Sequence, residues 1–248
     1  MKRLSLSVKI YVALVIILSI LTAINAFLPQ GEFALPNQEI PIPKPIIALV
    51  NAGTMLVLYG GLGFIGLKLS QKLEFPDIWD DRVSTQQRFL LPALVGLGIG
   101  LFFIVMDGVL SQSHPFGPFP HPPFPTSLIV SAIAAIGEEI IFRLFFIPFG
   151  VWLISYVILK KRWQEQVFWI VTIFSALAFA FGHLPSVMVI FGINQINEIP
   201  PVLMLEIILL NGILSLFAAY YLRKYGFLAA VGIHFWVDVV WHVIWGAL

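Results

Sequence analysis

Three charged residues, Glu138, Glu139 and Arg143, interrupt an apolar stretch that extends from about residue 127 to residue 159. A charge at the centre of a membrane helix costs about 2.5 to 3.5 kcal/mol, so a charge placed there is by default functional. At about 100° per residue, Glu139 and Arg143 share one helix face, whereas Glu138 points to another. The spacing predicts an ion pair that leaves Glu138 without a partner on its own helix. A pair that only fixes helix packing is the alternative.

Two more apolar segments carry polar side chains at the same spacing of four residues. Phe179 and His183 share one helix face, and His234 and Asp238 share another. A lone histidine in a membrane helix is more often a packing residue than a catalyst, but two histidines and up to three carboxylates together favour a site. His242 lies on the same helix face as His234 and Asp238, four residues further on. We assign it to the membrane interface beside neighbouring tryptophans.

The composition indicates a helical membrane protein. Of the 248 residues, 59% are hydrophobic and 11% are charged, against roughly 25% charged in soluble domains. We therefore predict an all-α, polytopic transmembrane helix bundle. The net charge of +1 offers no basic face to neutralise phosphates, which argues against a nucleic-acid partner.

A break at Pro148 and Gly150 would add an eighth helix to seven spans. The seven lie at about residues 10–28, 46–67, 89–110, 127–159, 167–183, 203–222 and 227–247.

The loop charges predict the orientation. With a cytoplasmic N-terminus and seven crossings, Lys44 is the one loop cation left outside, as expected because Lys and Arg concentrate in cytoplasmic loops. We therefore prefer one long helix over residues 127–159 and interpret residues 10–28 as a retained span rather than a cleaved signal. We divide the chain into residues 1–126, with N-terminal helices and an outer loop, and residues 127–248, which carry the site.

The outer loop at residues 111–126 is rich in proline, which prevents a helix and favours an extended backbone. We expect it to form an ordered cap over the outer mouth of the bundle, with a plain rigid linker as the alternative. Depth is a difficulty for any shared site. His183 lies near the outer end of its segment, whereas His234 lies about two turns from the inner start of its own. Straight, upright helices would keep these imidazoles apart.

A metal site is possible in principle. Glu138, His183 and His234 could form a zinc site of two histidines and one glutamate. The chain has no His-Glu-x-x-His motif, so we expect no required metal and no other cofactor. His114 and His121, both in the proline-rich loop, are a weak metal pair. The absence of cysteine excludes thiol nucleophiles, thiolate metal sites and disulfides.

Taken in order, the three motifs resemble those of the CPBP intramembrane protease family. This family includes the type II CAAX prenyl endopeptidases and bacterial proteins linked to bacteriocin processing and self-immunity. The resemblance covers roughly residues 127–242. It implies a glutamate-dependent endopeptidase in an all-helical membrane fold, acting on a membrane-embedded or lipidated peptide or protein.

The resemblance also implies roles for single residues. Glu138 would activate water together with His183, and His234 with the residue four positions later would stabilise the oxyanion. The remaining motif residues, Glu139 and Arg143, would support the site, and Phe179 would contact the substrate.

Asp238 departs from the prenyl-protease pattern, which usually has asparagine at this position. An ionised aspartate cannot donate a hydrogen bond to an oxyanion. Either Asp238 is protonated, or it orients His234 and leaves that imidazole as the donor, which is the reading we favour. A proton-coupled transporter and a non-catalytic scaffold or immunity protein are the competing functions. Transport would be supported by inverted repeats, and the sequence contains none that we detect.

Overall fold

The computed structural model describes residues 5–31 and 42–248, which form seven long helices and no β-strand. All seven are long and apolar enough to cross a membrane, so the chain is a multi-pass membrane protein. The predicted all-α polytopic bundle is thus confirmed, with seven spans in the described part of the chain. The helices are α1 (Leu6–Asn25), α2 (Lys44–Lys72), α3 (Gln86–Ser113), α4 (Thr126–Ile158), α5 (Gln164–Phe191), α6 (Pro201–Tyr225) and α7 (Phe227–Ala247).

Helix α4 is continuous over its 33 residues. The break considered at Pro148 does not occur, because the helix changes its winding instead. It is π-helical over Ile140–Phe146 and over Trp152–Ile158, with one α-helical turn between them. Proline lacks an N–H and crowds the preceding turn, and a widened helix accommodates both effects. The first π-helical segment begins directly after Glu139, and such segments are frequent at functional sites.

Helices α4 and α7 lie next to each other inside the bundle. Helix α4 packs against α1, α2 and α7, while α7 packs against α3, α4 and α6. Helix α5 packs against α4 and α6. The acidic pair on α4 therefore faces the histidine helices α5 and α7. The N-terminal helices α1 to α3 are not a separate layer, since α3 contacts α7 directly.

Helix α5 is interrupted at His183. Its first part ends at Gly182, and a second part begins at Leu184 with Pro185 in its first turn. A proline is tolerated there because the first N–H groups of a helix have no internal partner. The helix continues to Phe191, beyond the segment 167–183 expected from the sequence.

The loop between α3 and α4, residues 114–125, is fastened to the bundle and is called the strap below. Nε2 of His114 lies 3.1 Å from Oε2 of Glu206 on α6. The backbone N–H of Phe119 donates to Oδ1 of Asp107 on α3 at 3.1 Å. The first half of the strap is thus fixed to the ends of two helices.

The second half of the strap is fixed to α7 and α1. Nδ1 of His121 lies 3.2 Å from Nδ1 of His242 on α7. The hydroxyl of Thr126, where α4 begins, donates to the carbonyl of Pro29 at 2.6 Å. The strap therefore lies across the ends of α3, α6 and α7, in the position expected of a cap. His114 and His121 have separate partners and do not form a pair.

A close approach of α2 to α4 predicts a stability difference between two glycines of α2. A Cβ atom at Gly66 would overlap the backbone carbonyl of Leu144, whereas a Cβ atom at Gly61 has no neighbour within 4 Å. Overpacking typically costs about 1 to 3 kcal/mol. We expect Gly66→Ala to lower the unfolding temperature in detergent. We expect Gly61→Ala to be neutral or slightly stabilising, because alanine favours helix. Equal stability of the two variants would contradict this packing.

Candidate active site

A cavity of about 390 Å³ lies inside the bundle, beneath the strap. Five titratable side chains line it, namely Glu138, His183, His234, Asp238 and His242. Most of the other lining is apolar and includes Phe103, Phe119, Ile207, Leu210, Leu214 and Trp241. A largely apolar pocket with a few convergent polar groups is the usual form of a binding or catalytic site.

Glu138 is aimed between two imidazoles. Its Oε2 lies 3.7 Å from Nε2 of His234 and 4.0 Å from Nε2 of His183. Both distances exceed those of a direct hydrogen bond, and this oxygen has no hydrogen-bond partner among the described residues. Gaps of this size between polar groups are where a bridging water fits. The side chain as a whole is 33% exposed, whereas Oε2 itself is buried.

The carbonyl of Phe179 determines which nitrogen of His183 faces the cavity. Nδ1 of His183 lies 2.8 Å from this oxygen, one helical turn back. A carbonyl can only accept, so Nδ1 carries the hydrogen and donates it. In the neutral ring Nε2 is then an acceptor, and it faces Glu138. His183 is the residue that separates the two parts of α5.

Glu139 holds the ring of His234. Its Oε1 lies 2.9 Å from Nδ1 of His234, and its Oε2 lies 3.3 Å from Nε of Arg143. All three side chains are at most 3% exposed. The pair predicted between Glu139 and Arg143 is therefore present, and it extends to a third residue. Nε2 of His234 is left pointing toward Glu138.

Asp238 is not the residue that orients His234, which corrects the reading favoured from the sequence. Oδ2 of Asp238 lies 3.6 Å from Nε2 of His234, the same nitrogen that faces Glu138. Glu139 takes the orienting role because it bonds the opposite nitrogen at 2.9 Å. The carboxylates of Glu138 and Asp238 thus both lie near Nε2 of His234, the nitrogen on the cavity side of the ring.

Phe179 lies behind the site and not in the cavity wall. It is 1% exposed, and the Arg143 guanidinium stacks over its ring at 4.4 Å. The ring also meets those of His183 and His234, with centroids 4.9 and 5.8 Å away. This placement differs from the substrate contact expected from the sequence. A ring there supports the two imidazoles and gives the buried guanidinium a cation–π partner.

The depth difficulty is resolved by inclination of the helices. Arg223, just before α7, pairs with Glu165 at the start of α5 at 3.1 Å, so these two ends lie at one level. At 1.5 Å per residue, His183 is about 27 Å along α5 from Glu165, whereas His234 is about 10 Å along α7 from Phe227. Both rings nevertheless approach Glu138, so the two helices cannot both be upright.

Sequence reasoning missed His242 as a lining residue. It continues the stripe of His234 and Asp238 by one more step of four, so the signal was present but was assigned to the interface. Phe103 and Phe119, which also line the cavity, carried no signal at all. Both lie in residues 1–126, so the N-terminal part supplies walls of the cavity.

Whether the site can hold a metal ion depends on how the His, Asp and Glu side chains are arranged. No group of three or more His, Asp or Glu side chains within residues 5–31 and 42–248 is arranged to hold a metal ion. That a reaction at this site needs no metal is still a prediction from the sequence.

The fold and this cluster define a multi-pass helical membrane protein with a carboxylate and two imidazoles in an internal cavity. Residues 120–240 match the family described as type II CAAX prenyl endopeptidase Rce1-like. This match supports the CPBP/CAAX protease family, and the resemblance found from the motifs is confirmed. Comparisons with curated proteins and with solved structures gave no match.

The contact between His121 and His242 predicts that acid loosens the strap. Burial lowers the pKa of His121 from 6.5 to about 4, and burial also lowers the pKa of His114. The fastened strap thus binds fewer protons than the free strap, so its stability is complete above pH 6.5 and is lost as the pH falls toward 4. We expect hydrogen exchange of residues 114–125, corrected for intrinsic rates, to accelerate over this range.

His121→Phe is the matched control, because it keeps an aromatic ring in place of the imidazole and cannot take up a proton. Its strap should show a smaller acceleration between pH 6.5 and 4 than the wild type, with the remainder due to His114. An identical pH profile in the two proteins would contradict the role of His121.

Proposed function

We propose that this protein is a glutamate-dependent intramembrane endopeptidase that hydrolyses a peptide bond in a membrane-embedded or lipidated substrate. The observation that carries the proposal is the Glu138 carboxylate, aimed at the imidazoles of His183 and His234 in one mostly apolar cavity. Membership of a protease family favours hydrolysis over transport.

Water activation is the task of Glu138 and His183. A water in the gap between Oε2 and Nε2 donates one proton to the carboxylate and can donate its second hydrogen bond to the imidazole. The oxygen then attacks the carbonyl carbon of the scissile bond. The carbonyl becomes a tetrahedral oxyanion, and the carboxyl group of Glu138 later delivers its proton to the leaving amine as the C–N bond breaks.

Oxyanion stabilisation is the task of His234. Its Nδ1–H is already donated to Glu139, so a hydrogen bond from Nε2 requires the imidazolium form. Three carboxylates favour that form, with Glu139 at Nδ1 and Glu138 and Asp238 at 3.7 and 3.6 Å from Nε2. A preorganised donor of this kind supplies several kcal/mol in a water-poor site. Asp238 then acts through charge and need not donate.

Arg143 acts on the reaction through Glu139. A guanidinium is always charged, so it keeps the buried Glu139 in the carboxylate form that bonds the imidazole. Its nearest approach is the 3.3 Å contact from Nε. We assign Arg143 and Phe179 as positioning residues, since neither reaches the cavity.

We also propose that the protein resides in the cell membrane with its N-terminus in the cytoplasm. Loops rich in Lys and Arg stay on the cytoplasmic side, and this orientation leaves Lys44 as the one loop cation outside.

Removal of the proposed base should abolish cleavage. We expect Glu138→Gln to lower the rate by at least about 10²-fold, the lower end of the usual contribution of general acid–base catalysis. The measurement is quantitative mass spectrometry of peptide termini in membranes from cells that make each variant. Glu165→Gln is the control, because this side chain is 54% exposed at the other end of the bundle. Unchanged products with Glu138→Gln would exclude the proposed mechanism.

Chelation separates the metal-free reaction from a zinc reaction. Because the donors of the described residues are not arranged as a three-ligand group, we expect the purified protein to retain its activity after exhaustive treatment with chelators. The check is cleavage of a peptide identified by the preceding experiment, before and after dialysis against chelator. Loss of activity that added zinc restores, but magnesium does not, would assign a metal to the site.

A further inference from the structure

One end of the bundle is basic. The loops α2–α3, α4–α5 and α6–α7, with the adjoining helix turns, form this basic end. The cations there are Lys68, Lys72, Arg82, Arg88, Lys160, Lys161, Arg162, Arg223 and Lys224. Among residues 5–31 and 42–248, the opposite end has Lys44 alone of the Lys and Arg side chains.

The structure places the three basic loops together. Gln164, at the start of α5, donates to the carbonyl of Leu73 in the α2–α3 loop at 2.8 Å. Gly226, between α6 and α7, lies against the backbone of Asp77 in the same α2–α3 loop. The start of α1 is at this end as well, because Ser7 accepts a hydrogen bond from the backbone N–H of Trp79 at 3.0 Å. The charge asymmetry is thus a property of the folded bundle and not only of the sequence.

The cavity lies toward the opposite end. Its loop-derived wall consists of Gln30 and of Phe119, Pro120 and Pro122 of the strap, and no residue of the three basic loops lines it. Glu138 is about 18 Å along α4 from Thr126 and about 30 Å from Ile158, at 1.5 Å per residue. The reacting groups are therefore nearer to the end that carries Lys44 than to the basic end.

We infer that this site cleaves peptide bonds on the non-cytoplasmic side of the membrane. The substrate class is then the membrane-proximal segments of exported or translocated proteins and peptides. Because positively charged short loops are retained in the cytoplasm, the end that carries nine Lys and Arg residues faces the cytoplasm and the strap faces outward. Proteins anchored to the cytoplasmic leaflet through a lipidated tail would lie toward the basic end of the bundle, away from these groups.

This inference rests on the proposed peptidase activity for its substrate class, whereas the direction in which the cavity opens is independent of activity. The two parts can therefore be tested separately.

The direction can be measured with single cysteines, because the chain contains none. Ser186 lines the cavity and is exposed, Asn197 is exposed in the α5–α6 loop, and Gln86 is exposed at the basic end. We expect a membrane-impermeant maleimide to label Ser186→Cys and Asn197→Cys in intact spheroplasts. Gln86→Cys should react only after permeabilisation.

Two labelling results overturn the inference. The reverse labelling pattern for Asn197→Cys and Gln86→Cys would show that the protein has the opposite orientation in the membrane. Failure of Ser186→Cys to react from outside, while Asn197→Cys reacts, would show that the cavity does not open outward.

The substrate class is tested by mapping the peptide termini that wild-type cells contain and Glu138→Gln cells lack. We expect these termini in segments on the non-cytoplasmic side. Termini confined to cytoplasmic segments would overturn this inference and leave the peptidase activity standing. No difference between the two cell types would refute the peptidase activity, while the labelling experiment would still decide the direction.

Discussion

The site depends on the contacts of one fully buried carboxylate, that of Glu139. It bonds Nδ1 of His234 with one oxygen and contacts Arg143 with the other, and thereby joins α4 to α7. Removing one partner of a buried ion pair leaves an uncompensated charge and costs about 3 to 5 kcal/mol. The three residues therefore constrain each other strongly. Their mutual constraint fixes the direction in which Nε2 of His234 points, and this nitrogen faces Glu138.

The geometry of the helices follows from the need to bring these groups to one level. His183 is far along α5, and His234 is early in α7, so upright helices would separate them. Inclination brings the helices together, and Nδ1 of His183 bonds the Phe179 carbonyl while Nε2 faces Glu138. The π-helical turn after Glu139 widens α4 where the charged residues lie. These irregularities occur at the site and along the same helices that carry it, as expected where backbone geometry serves function.

The sequence was sufficient for the fold and for the pairs that lie within one helix. Spacing by four residues identified Glu139 with Arg143 and His234 with Asp238, because neighbours on a helix face are set by the helix itself. It could not reveal the contact between Glu139 and His234, which joins two helices and depends on their relative rotation. For the same reason Asp238 was given the orienting role that Glu139 has, and His242 was assigned to the interface although it meets His121 of the strap.

The walls of the cavity come from two parts of the chain, one inside and one outside the region that matches the family. Glu138, the two imidazoles of the cluster and the residues that contact them all lie inside the matched region, residues 120–240. Phe103, Phe119, Gln30 and His242 line the same cavity from outside that region. The walls that a substrate side chain would touch therefore come in part from segments that the family pattern does not specify. For the proposed peptidase, the reacting groups thus come from the matched region, whereas part of the surface that a substrate would meet comes from the N-terminal helices and the strap.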